Sequence, residues 1–392
     1  MSAINQEENW KIERNQTLAY AKTIFFKVGS AVIANDCGLN LELMQHLASQ
    51  METVWQKLPS RRLILVTSAA VAAGKAILRQ FKNDAISSGL SARQAVAAIG
   101  QAQLMQAWDK TFLPFNRPTA QVLLTREDLK ARQHFLNIRN TLAELLEWQV
   151  LPIVNENDTV SVQELKFGDN DTLASLLVNL VDADLCVNLT SAKGLYAEDP
   201  AKNPKAPIVD HLSDVARIDL NQICGSKTNV GTGGMYSKLK AARRTAQIGV
   251  PTLILPGKEP DIIVKAFEPN STLGTWICRQ KDILPRRKYW LAYQSEPQGE
   301  LFLDHGAVKA LLEEGRSLLP QGIQKITGIF PKGALVKIWG DGEEIGVGLS
   351  NYSSADLSKI LGLKRIEVAA FLGDAHYPSV IHRDNMVLHA VI

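Results

Sequence analysis

Two lysines in the sequence stand next to glycines, at positions where they could bind a phosphate. Lys27 ends an apolar run and is followed by Gly29, and Lys238 follows the glycine-rich segment Gly231–Gly234. Glycine lets backbone N–H groups approach an anion, and the lysine ammonium groups neutralise its charge. Phosphoryl transfer needs mainly such positioning and charge neutralisation, so these segments predict that chemistry.

Short polar side chains are concentrated in two further segments. Asn155–Asp158 reads Asn-Glu-Asn-Asp and follows an apolar run, and Gly168–Asp171 reads Gly-Asp-Asn-Asp and precedes a helical pattern. An Asp or Asn at a helix start is often only an N-cap. That alternative does not explain two neighbouring polar clusters, which suit the binding of an amine or of a metal-bound water.

The segment Thr67–Gly74 is a strand end that continues into a helix with very small side chains. A ligand could reach the N-terminus of such a helix directly. The alternative is an alanine-rich helix packed tightly on a sheet. Similarly, Lys27 alone could be a solvated edge charge, and Gly231–Lys238, which is not a Walker A loop, could be a surface turn.

The seven histidines lie outside all four segments, and no Ser-His-Asp arrangement is indicated. Catalysis by a histidine general base is therefore not expected. An acceptor that needs no deprotonation fits best. The four cysteines are far apart and have no zinc-site spacing, so no metal bound mainly by protein ligands is expected.

Short apolar runs alternate with helical patterns through most of the chain, which is typical of an α/β fold with a mainly parallel sheet covered by helices on both faces. The predicted strands are Thr23–Val28, Leu63–Thr67, Ala120–Leu124, Val150–Val154, Leu185–Leu189 and Thr252–Leu255. The predicted helices are Leu41–Leu58, Ala69–Phe81, Ser91–Phe112, Ala131–Trp148, Thr172–Val181 and Met235–Ile248. The carboxyl edge of such a sheet is where ligands bind, and the four segments fall there.

The character of the sequence changes after about residue 280. The predicted organisation is a flexible N-terminal extension over residues 1–20, an α/β domain over 21–280, a linker over 281–295 and a small β-rich domain over 296–392. Short runs separated by Pro-Lys-Gly and Asp-Gly-Glu turns predict a strongly bent β structure with one or two short helices in the last domain.

Composition excludes several classes of protein. The 392 residues carry 43 Lys and Arg against 40 Asp and Glu, a net charge of +3, which is too small for an obligate nucleic-acid binder. No apolar run reaches the about 18 residues that a membrane span needs, and the polar N-terminus resembles no signal or transit peptide. A cytoplasmic location is expected.

Read in order, the chemical segments resemble the glutamate 5-kinases of the amino acid kinase family. The resemblance rests on the Lys27 strand end, Val66–Ser68, Ile153–Asp158, Gly168–Asp171, Leu189-Thr190, Lys193–Tyr196 and Gly231–Lys238. The pair Asn-Glu-Asn-Asp and Gly-Asp-Asn-Asp is the part most particular to these enzymes. The stretch Ser317–Ile323, continuing to Gly333, resembles the PUA domain that bacterial members carry.

The resemblance implies a three-layer α/β/α sandwich that phosphorylates the γ-carboxylate of L-glutamate with ATP and Mg²⁺, the first step of proline biosynthesis. It implies that Lys27 and Lys238 stabilise the transferring phosphoryl group and that Asp171 holds both lysines in place. The glutamate-binding residues that it implies are Ser68, Asn155, Asp158, Asp169 and Asn170. The ATP-binding residues are Lys27, Thr190, Ser191, Thr232, Gly233, Gly234, Met235, Tyr236, Ser237 and Lys238, and Mg²⁺ would be held mainly by the phosphates.

Four residues depart from the family pattern. Ala69 replaces the usual glycine, Ala31 a serine, Ser191 an aspartate and Tyr236 a small residue. Ala69 adds a methyl group beside the glutamate and phosphoryl site, and Ser191 removes a carboxylate from the nucleotide pocket. These changes bear on substrate affinity, nucleotide preference and regulation rather than on the class of reaction.

The resemblance also implies feedback inhibition by proline and a homo-oligomer, either dimer or tetramer, and the unstable product suggests coupling to a glutamyl phosphate reductase. Three alternatives remain: a related kinase with another acceptor, a catalytically silent amino-acid sensor, and RNA binding by the PUA domain. Residues 281–392 contain thirteen Lys and Arg and thirteen Asp and Glu, so the electrostatic attraction that dominates nucleic-acid affinity is missing there.

Overall fold

The computed structural model divides the chain into two compact units, Met1–Ile283 and Leu284–Ile392. The residues that it describes are 4–81, 89–160, 170–198, 203, 205–218, 220, 234–293, 296–363, 367–368 and 379–388. The division falls inside the predicted linker 281–295.

The N-terminal unit alternates strands and helices, as the hydrophobic pattern predicts. Its helices are α1 (Ile4–Tyr20), α2 (Ser30–Ile33), α3 (Leu41–Gln56), α4 (Ala70–Gln80), α5 (Leu90–Phe112), α6 (Arg126–Lys130), α7 (Arg132–Glu147), α8 (Asn170–Leu180), α9 (Met235–Gln247) and α10 (Ile262–Ala266). Its strands are β1 (Thr23–Val28), β2 (Ala34–Asn35), β3 (Gly38–Leu39), β4 (Arg62–Val66), β5 (Thr119–Leu124), β6 (Leu151–Glu156), β7 (Leu185–Thr190), β8 (His211–Leu212), β9 (Thr252–Pro256) and β10 (Thr275–Ile277).

Among the described residues, eight strands form one sheet in the order β5-β6-β4-β1-β7-β9-β10-β8. All neighbouring pairs are parallel except β9 with β10, which is antiparallel. The prediction of a mainly parallel sheet is confirmed. The order places β6, β4, β1 and β7 side by side, so their carboxyl ends form one continuous edge.

Helices cover both faces of this sheet. Leu253 and Leu255 of β9 pack in the same core as Met44 of α3, whereas Ile254 packs with Leu239 of α9. Successive residues of a strand point to opposite faces, so α3 and α9 lie on opposite sides. The strand interiors are consequently apolar along their whole length, which is why they showed no alternation in the sequence.

Helices α4 and α5 are in unusually close contact. A Cβ atom at Gly100 would lie 1.8 Å from the carbonyl oxygen of Ala70, and one at Gly74 would lie 1.9 Å from that of Val96. Only glycine fits at these two positions, because any side chain would overlap the backbone of the facing helix. The alanine-rich segment after β4 is therefore packed tightly, and it brings α5 to the carboxyl edge of the sheet.

The prediction of a flexible extension over residues 1–20 is corrected by helix α1. Trp10, Arg14 and Leu18 are spaced four residues apart, and each is at most 5% exposed. This spacing places the three side chains on one face of a helix. Even Glu13 contacts the rest of the unit, because its side chain accepts a hydrogen bond from Trp276 Nε1 at 3.3 Å. Composition alone was therefore misleading.

Two arginines hold α1 in place. Arg61 donates hydrogen bonds to the carbonyl oxygens of Leu18 and Ala19, each at 3.1 Å, and to that of Ala21 at 2.9 Å. These are carbonyl groups at and just beyond the end of α1 that have no partner within the helix. Arg14 donates to the carbonyl oxygen of Leu273 at 2.8 Å. Burial lowers the pKa of Arg14 to about 10, so its side chain still carries its charge at neutral pH.

The C-terminal unit is β-rich, as predicted. Its described strands are β11 (Gly299–Leu303), β12 (Ile323–Thr327), β13 (Leu335–Gly340), β14 (Glu343–Leu349) and β15 (Met386–Leu388), in the sheet order β12-β11-β13-β14-β15. Its described helices are α11 (Arg286–Tyr293), α12 (His305–Leu312) and α13 (Ser354–Ile360). Helix α11 occupies much of the predicted linker, and Tyr289 and Leu291 on it are buried. Among the described residues of both units, no helix is long and apolar enough to cross a membrane.

Candidate active site

The carboxyl edge of the sheet brings the predicted chemical segments together. Lys27 lies in β1, Thr67 directly follows β4, Asn155 lies in β6 and Asn188 lies in β7. Lys27 and Asn188 are opposite one another in the register of β1 and β7. Helices α8 and α9 begin beside this edge and contact each other.

A buried carboxylate joins the two predicted lysines, which are 211 residues apart in the sequence. Lys27 Nζ lies 2.5 Å from Asp171 Oδ1, and Lys238 Nζ lies 2.9 Å from Asp171 Oδ2. All three residues are at most 5% exposed. The structure therefore places Asp171 as expected, between the two lysines.

Asp171 accepts hydrogen bonds at both oxygens. Oδ1 accepts from Asn188 Nδ2 at 2.9 Å as well as from Lys27, and Oδ2 accepts from Ser237 Oγ at 2.9 Å as well as from Lys238. Ser237 Oγ also lies 2.8 Å from the carbonyl oxygen of Gly234, so its one hydrogen is shared between two acceptors. Asp171 is thus held by donors from β1, β7 and α9, an arrangement that suits the positioning of both lysines.

The cluster brings two ammonium groups together at the carboxyl edge of the sheet. Two ammonium groups meet at one carboxylate, and each ammonium has three N–H donors, more than its contact with Asp171 uses. Burial raises the pKa of the nearby Cys186 thiol to about 12, so this side chain stays neutral and adds no negative charge. Paired ammonium groups at the carboxyl edge of a parallel sheet are suited to contact an anionic ligand.

Three predicted glutamate-binding residues form a second group. Asn170 Nδ2 lies 2.8 Å from Ser68 Oγ, 3.0 Å from Asn155 Oδ1 and 2.8 Å from the carbonyl oxygen of Thr67, so its two N–H groups are shared among three acceptors. Asn170 precedes Asp171 in the chain, so this amide group adjoins the lysine cluster. The arrangement offers amide and hydroxyl groups to a ligand whose other end lies at the lysines.

Ala69, one of the four departures, has a strained backbone. Its φ is 85°, in the left-handed region, and it forms the N-cap of α4. A Cβ atom makes this conformation costly by about 1–2 kcal/mol, and glycine avoids that cost. The glycine that the family pattern has at this position is therefore explained by the left-handed backbone conformation, which glycine adopts without strain.

The Ala69→Gly substitution should increase the free energy of unfolding by up to about 1 kcal/mol, because it relieves the strain but gives up one buried methyl group. The matched control is Ala72→Gly, the same substitution three residues further on inside α4, which should decrease it by about 1 kcal/mol. Urea denaturation measures both. Equal losses from the two substitutions would contradict the assignment of strain to Ala69.

Asp158 lies apart from these contacts. It is half-buried in the turn after β6, and burial raises the pKa of its carboxyl group above the usual value, while the charge of Arg93 partly opposes this shift. An amine bound beside it would favour the charged carboxylate. A role of Asp158 in substrate binding therefore remains a prediction.

The predicted nucleotide residues lie at two adjoining places. Thr190 ends β7, two residues after Asn188 and on the same face of the strand, and Ser191 follows it, exposed. Gly234 is the exposed N-cap of α9, whose first turn contains Ser237. Asp169, Thr232 and Gly233, also predicted for the site, lie outside the described residues.

The remaining positions singled out in the sequence are at the start of α9 and in the short helix α2. Met235 and Tyr236 are partly buried against the core beneath α9, so the larger side chain of Tyr236 is accommodated by packing. Ala31 is exposed in α2, directly after the Lys27 strand. Gly29 lies between them, and a Cβ atom there would be 3.9 Å from Lys27 Nζ. Its missing side chain keeps that side of the ammonium group open.

Sequence reasoning missed two residues. Asn188 stands in an otherwise mostly apolar buried strand, and a polar residue in such a run is a signal that could have been used. Gln101 on α5 accepts a hydrogen bond from Asn155 Nδ2 at 2.8 Å. Nothing in the pattern of α5 distinguishes Gln101 from the other glutamines of that helix.

The side chains give no dedicated metal cage in the part of the chain that the structure describes, where no group of three or more His, Cys, Asp or Glu could hold a metal ion. Asp171, the buried carboxylate, is already paired with two lysines. A divalent cation at this edge would need most of its ligands from phosphate oxygens and water, which is usual for Mg²⁺ in nucleotide sites.

The sheet, its edge and the lysine cluster define a phosphate-binding α/β protein, and comparison with known families agrees. Residues 22–256 match the model of the amino acid kinase family, and residues 299–372 match that of the PUA domain. The chain belongs to the amino acid kinase family.

Within this family, the relatives resemble the whole chain. The glutamate 5-kinase of Nitratidesulfovibrio vulgaris is 54% identical over 384 residues, which cover 98% of this chain and all of that protein. The glutamate 5-kinases of Geobacter sulfurreducens and Thermus thermophilus are each 42% identical, over 96% and 94% of this chain and 100% and 97% of theirs. The resemblance noted in the sequence is thus confirmed, including the C-terminal domain.

Proposed function

We propose that this protein transfers the γ-phosphoryl group of ATP to the γ-carboxylate of L-glutamate, which gives ADP and γ-glutamyl 5-phosphate in the first step of proline biosynthesis. The observation that carries the proposal is the buried cluster of Lys27, Asp171 and Lys238, which brings two ammonium groups to the carboxyl edge of the sheet. The full-length similarity to proteins named glutamate 5-kinase supports the choice of acceptor.

The transfer needs no general base. The γ-carboxylate has an ordinary pKa of about 4.3, so it is already an anion at neutral pH. One of its oxygens forms a bond to the γ-phosphorus as the bond from that phosphorus to the bridging oxygen breaks, and ADP leaves with the electron pair. Charge spreads over the phosphoryl oxygens during this step. Lys27 and Lys238 stabilise that charge, and Asp171 holds both ammonium groups in place.

The substrates approach from two sides of the lysine cluster. Glutamate binds against the group formed by Ser68, Asn155 and Asn170, together with Asp158 and Asp169. ATP binds at the end of β7 and the start of α9, where Thr190, Ser191 and residues 234–238 lie, and Thr232 and Gly233 are proposed to take part. Mg²⁺ supplies charge neutralisation at the β- and γ-phosphates when bound, and the chain adds few direct ligands to it.

The family resemblance also supports proposals on the location, oligomeric state and regulation of the enzyme. We propose a cytoplasmic homo-oligomer, either dimer or tetramer, that proline inhibits. Its acyl phosphate product hydrolyses readily, so we also propose coupling to a separate glutamyl phosphate reductase. Faster capture of the product by reductase added to the same solution than by the same reductase kept at high dilution would support the coupling, and equal capture would contradict it.

The test of the function is an acceptor panel. Purified protein with ATP and Mg²⁺ should release ADP when offered glutamate, and not with N-acetylglutamate, aspartate, UMP or no acceptor. Hydroxylamine in the same reaction should trap the acyl phosphate as a hydroxamate, which separates phosphorylation of a carboxylate from ATP hydrolysis. ADP release with another acceptor alone would keep the kinase and overturn the glutamate assignment.

A further inference from the structure

The amide group beside the lysines contains two buried polar atoms that its neighbours leave unused. Among the described residues, neither Gln101 Nε2 nor Asn170 Oδ1 has a hydrogen-bond partner, although solvent reaches neither atom. Buried polar groups of native proteins nearly always have a partner. Two such atoms on side chains that are linked through Asn155 indicate a ligand that supplies both partners.

A backbone carbonyl fixes which way each amide points. The carbonyl oxygen of Thr67 can only accept, so the atom of Asn170 that faces it must be Nδ2. The same Nδ2 faces Asn155, which must therefore present Oδ1 and turn its Nδ2 toward Gln101. Gln101 consequently presents Oε1 to Asn155. Each orientation follows from the one before it, and none depends on an arbitrary choice of amide flip.

The hydrogen bonds from Asn170 through Asn155 to Gln101 form a relay of three amide side chains. This relay leaves an unused donor at Gln101 and an unused acceptor at Asn170. Gln101 Nε2 carries two N–H groups, and Asn170 Oδ1 carries lone pairs. An amino acid presents the complementary pair, a carboxylate that accepts and an ammonium group that donates. Asn170 adjoins Asp171 and the lysines, whereas Gln101 is separated from Asn170 by Asn155.

We propose that Gln101 is a substrate-binding residue that donates a hydrogen bond from Nε2 to the α-carboxylate of glutamate, while its Oε1 fixes the amide of Asn155. The proposal rests on the function proposed above, which sends the γ-carboxylate to Lys27 and Lys238. The α-carboxylate is then at the opposite end of the molecule, where the relay ends in a donor.

The position of Gln101 on α5 supports this role. Gln101 directly follows Gly100, where α5 touches the backbone of α4, so the helix holds the side chain at a fixed distance from the turn at Ser68. Arg93 lies about two helical turns earlier on the same side of α5, and its charge acts on Asp158. Helix α5 thus contacts the end of β6 through Gln101, and the charge of Arg93 acts on the turn after β6.

Gln101→Glu separates the two functions of the side chain. The substituted side chain keeps an oxygen for Asn155 Nδ2 but replaces the free donor with a second oxygen and adds a negative charge. The KM for glutamate should rise about tenfold or more, since a hydrogen bond to a charged group is lost and repulsion replaces it. The KM for ATP should stay within about twofold. Gln103→Glu, which adds the same charge at an exposed position of α5, should change neither.

Glutamate α-amide, in which the α-carboxylate is a neutral amide, identifies the group that Gln101 contacts. The wild-type protein should prefer glutamate strongly, and Gln101→Glu should reduce that preference by about tenfold or more, because its carboxylate repels the α-carboxylate and accepts from the α-amide. Gln101→Leu, which removes donor and acceptor without adding charge, should reduce the preference less.

Thermal unfolding separates binding from folding. Gln101→Glu, which keeps an oxygen for Asn155 Nδ2, should unfold near the wild-type temperature without ligand, whereas Gln101→Leu should unfold at a lower temperature because that donor loses its acceptor. Glutamate should raise the unfolding temperature of both variants less than it does that of the wild-type protein. A glutamate KM unchanged in Gln101→Glu, or equal rises for glutamate and its α-amide, would overturn the proposal. If the wild-type protein does not use glutamate at all, the proposed function fails instead, so the two failures are distinguishable.

Discussion

Lys238→Ala should lower kcat for glutamate phosphorylation about a thousandfold. In the proposed mechanism, the ammonium group of Lys238 stabilises charge that develops on the phosphoryl group, and removal of one such donor costs about 10²–10³ in rate, with larger losses for a full charge. The KM for glutamate should change little, because glutamate binds to the neighbouring amide group. ADP release at saturating ATP measures the effect.

The matched control is Lys240→Ala, two residues further along α9 at an exposed position. It removes the same charge from the same helix and should leave kcat within about twofold. Circular dichroism should show that both variants are folded, since Asp171 remains paired with Lys27 when Lys238 is removed. Equal rates for the Lys238 and Lys240 variants would contradict the role assigned to Lys238.

Asp171→Asn should lower the free energy of unfolding by about 3–5 kcal/mol, because two buried lysines lose their counter-charge. The asparagine keeps the size of the side chain but turns an N–H₂ group toward donors that previously had an acceptor. The activity should also fall, since neither lysine is held in place. Urea denaturation measures the stability, and the midpoint should move without a change in slope.

An exposed ion pair provides the comparison for Asp171. Arg62 and Glu147 are 2.6 Å apart with side chains 39% and 69% exposed, so Glu147→Gln should cost less than about 1 kcal/mol. A second check combines Asp171→Asn with Lys238→Met. Because both changes act on one cluster, their joint cost should be smaller than the sum of the separate costs. Additive costs, or a loss no larger than that of Glu147→Gln, would contradict the coupled cluster.

Much of the site was predictable because its residue types are local signals. Lys27 at a strand end, Ser68 at a strand-to-helix turn and Asn170 at a helix start are each marked by their neighbours in the sequence. These positions lie at the carboxyl ends of strands or at helix N-termini, and a parallel sheet gathers such positions at one edge. The strand and helix bounds agree with the predictions to within about two residues at most ends for the same reason.

Local signals failed where burial depends on distant contacts. The N-terminal segment looked solvated from its composition, yet Trp10, Arg14 and Leu18 are buried against a surface formed much later in the chain. Similarly, the predicted linker contains Tyr289 and Leu291, which are buried within the second unit. The average polarity of a segment does not reveal that one face of its helix is apolar and buried.

The sequence by itself determined the class of chemistry, the α/β fold and most of the side chains that take part. Only the tertiary structure decided how they meet: Asp171 receives donors from β1, β7 and α9, and Gln101 ends a relay whose direction the carbonyl oxygen of Thr67 sets. Hydrogen bonds are directional, and buried charges need partners close in space. Here the partners come from different strands and helices, so these contacts depend on the order of strands in the sheet. That order is a property of packing between distant segments, which no local pattern encodes.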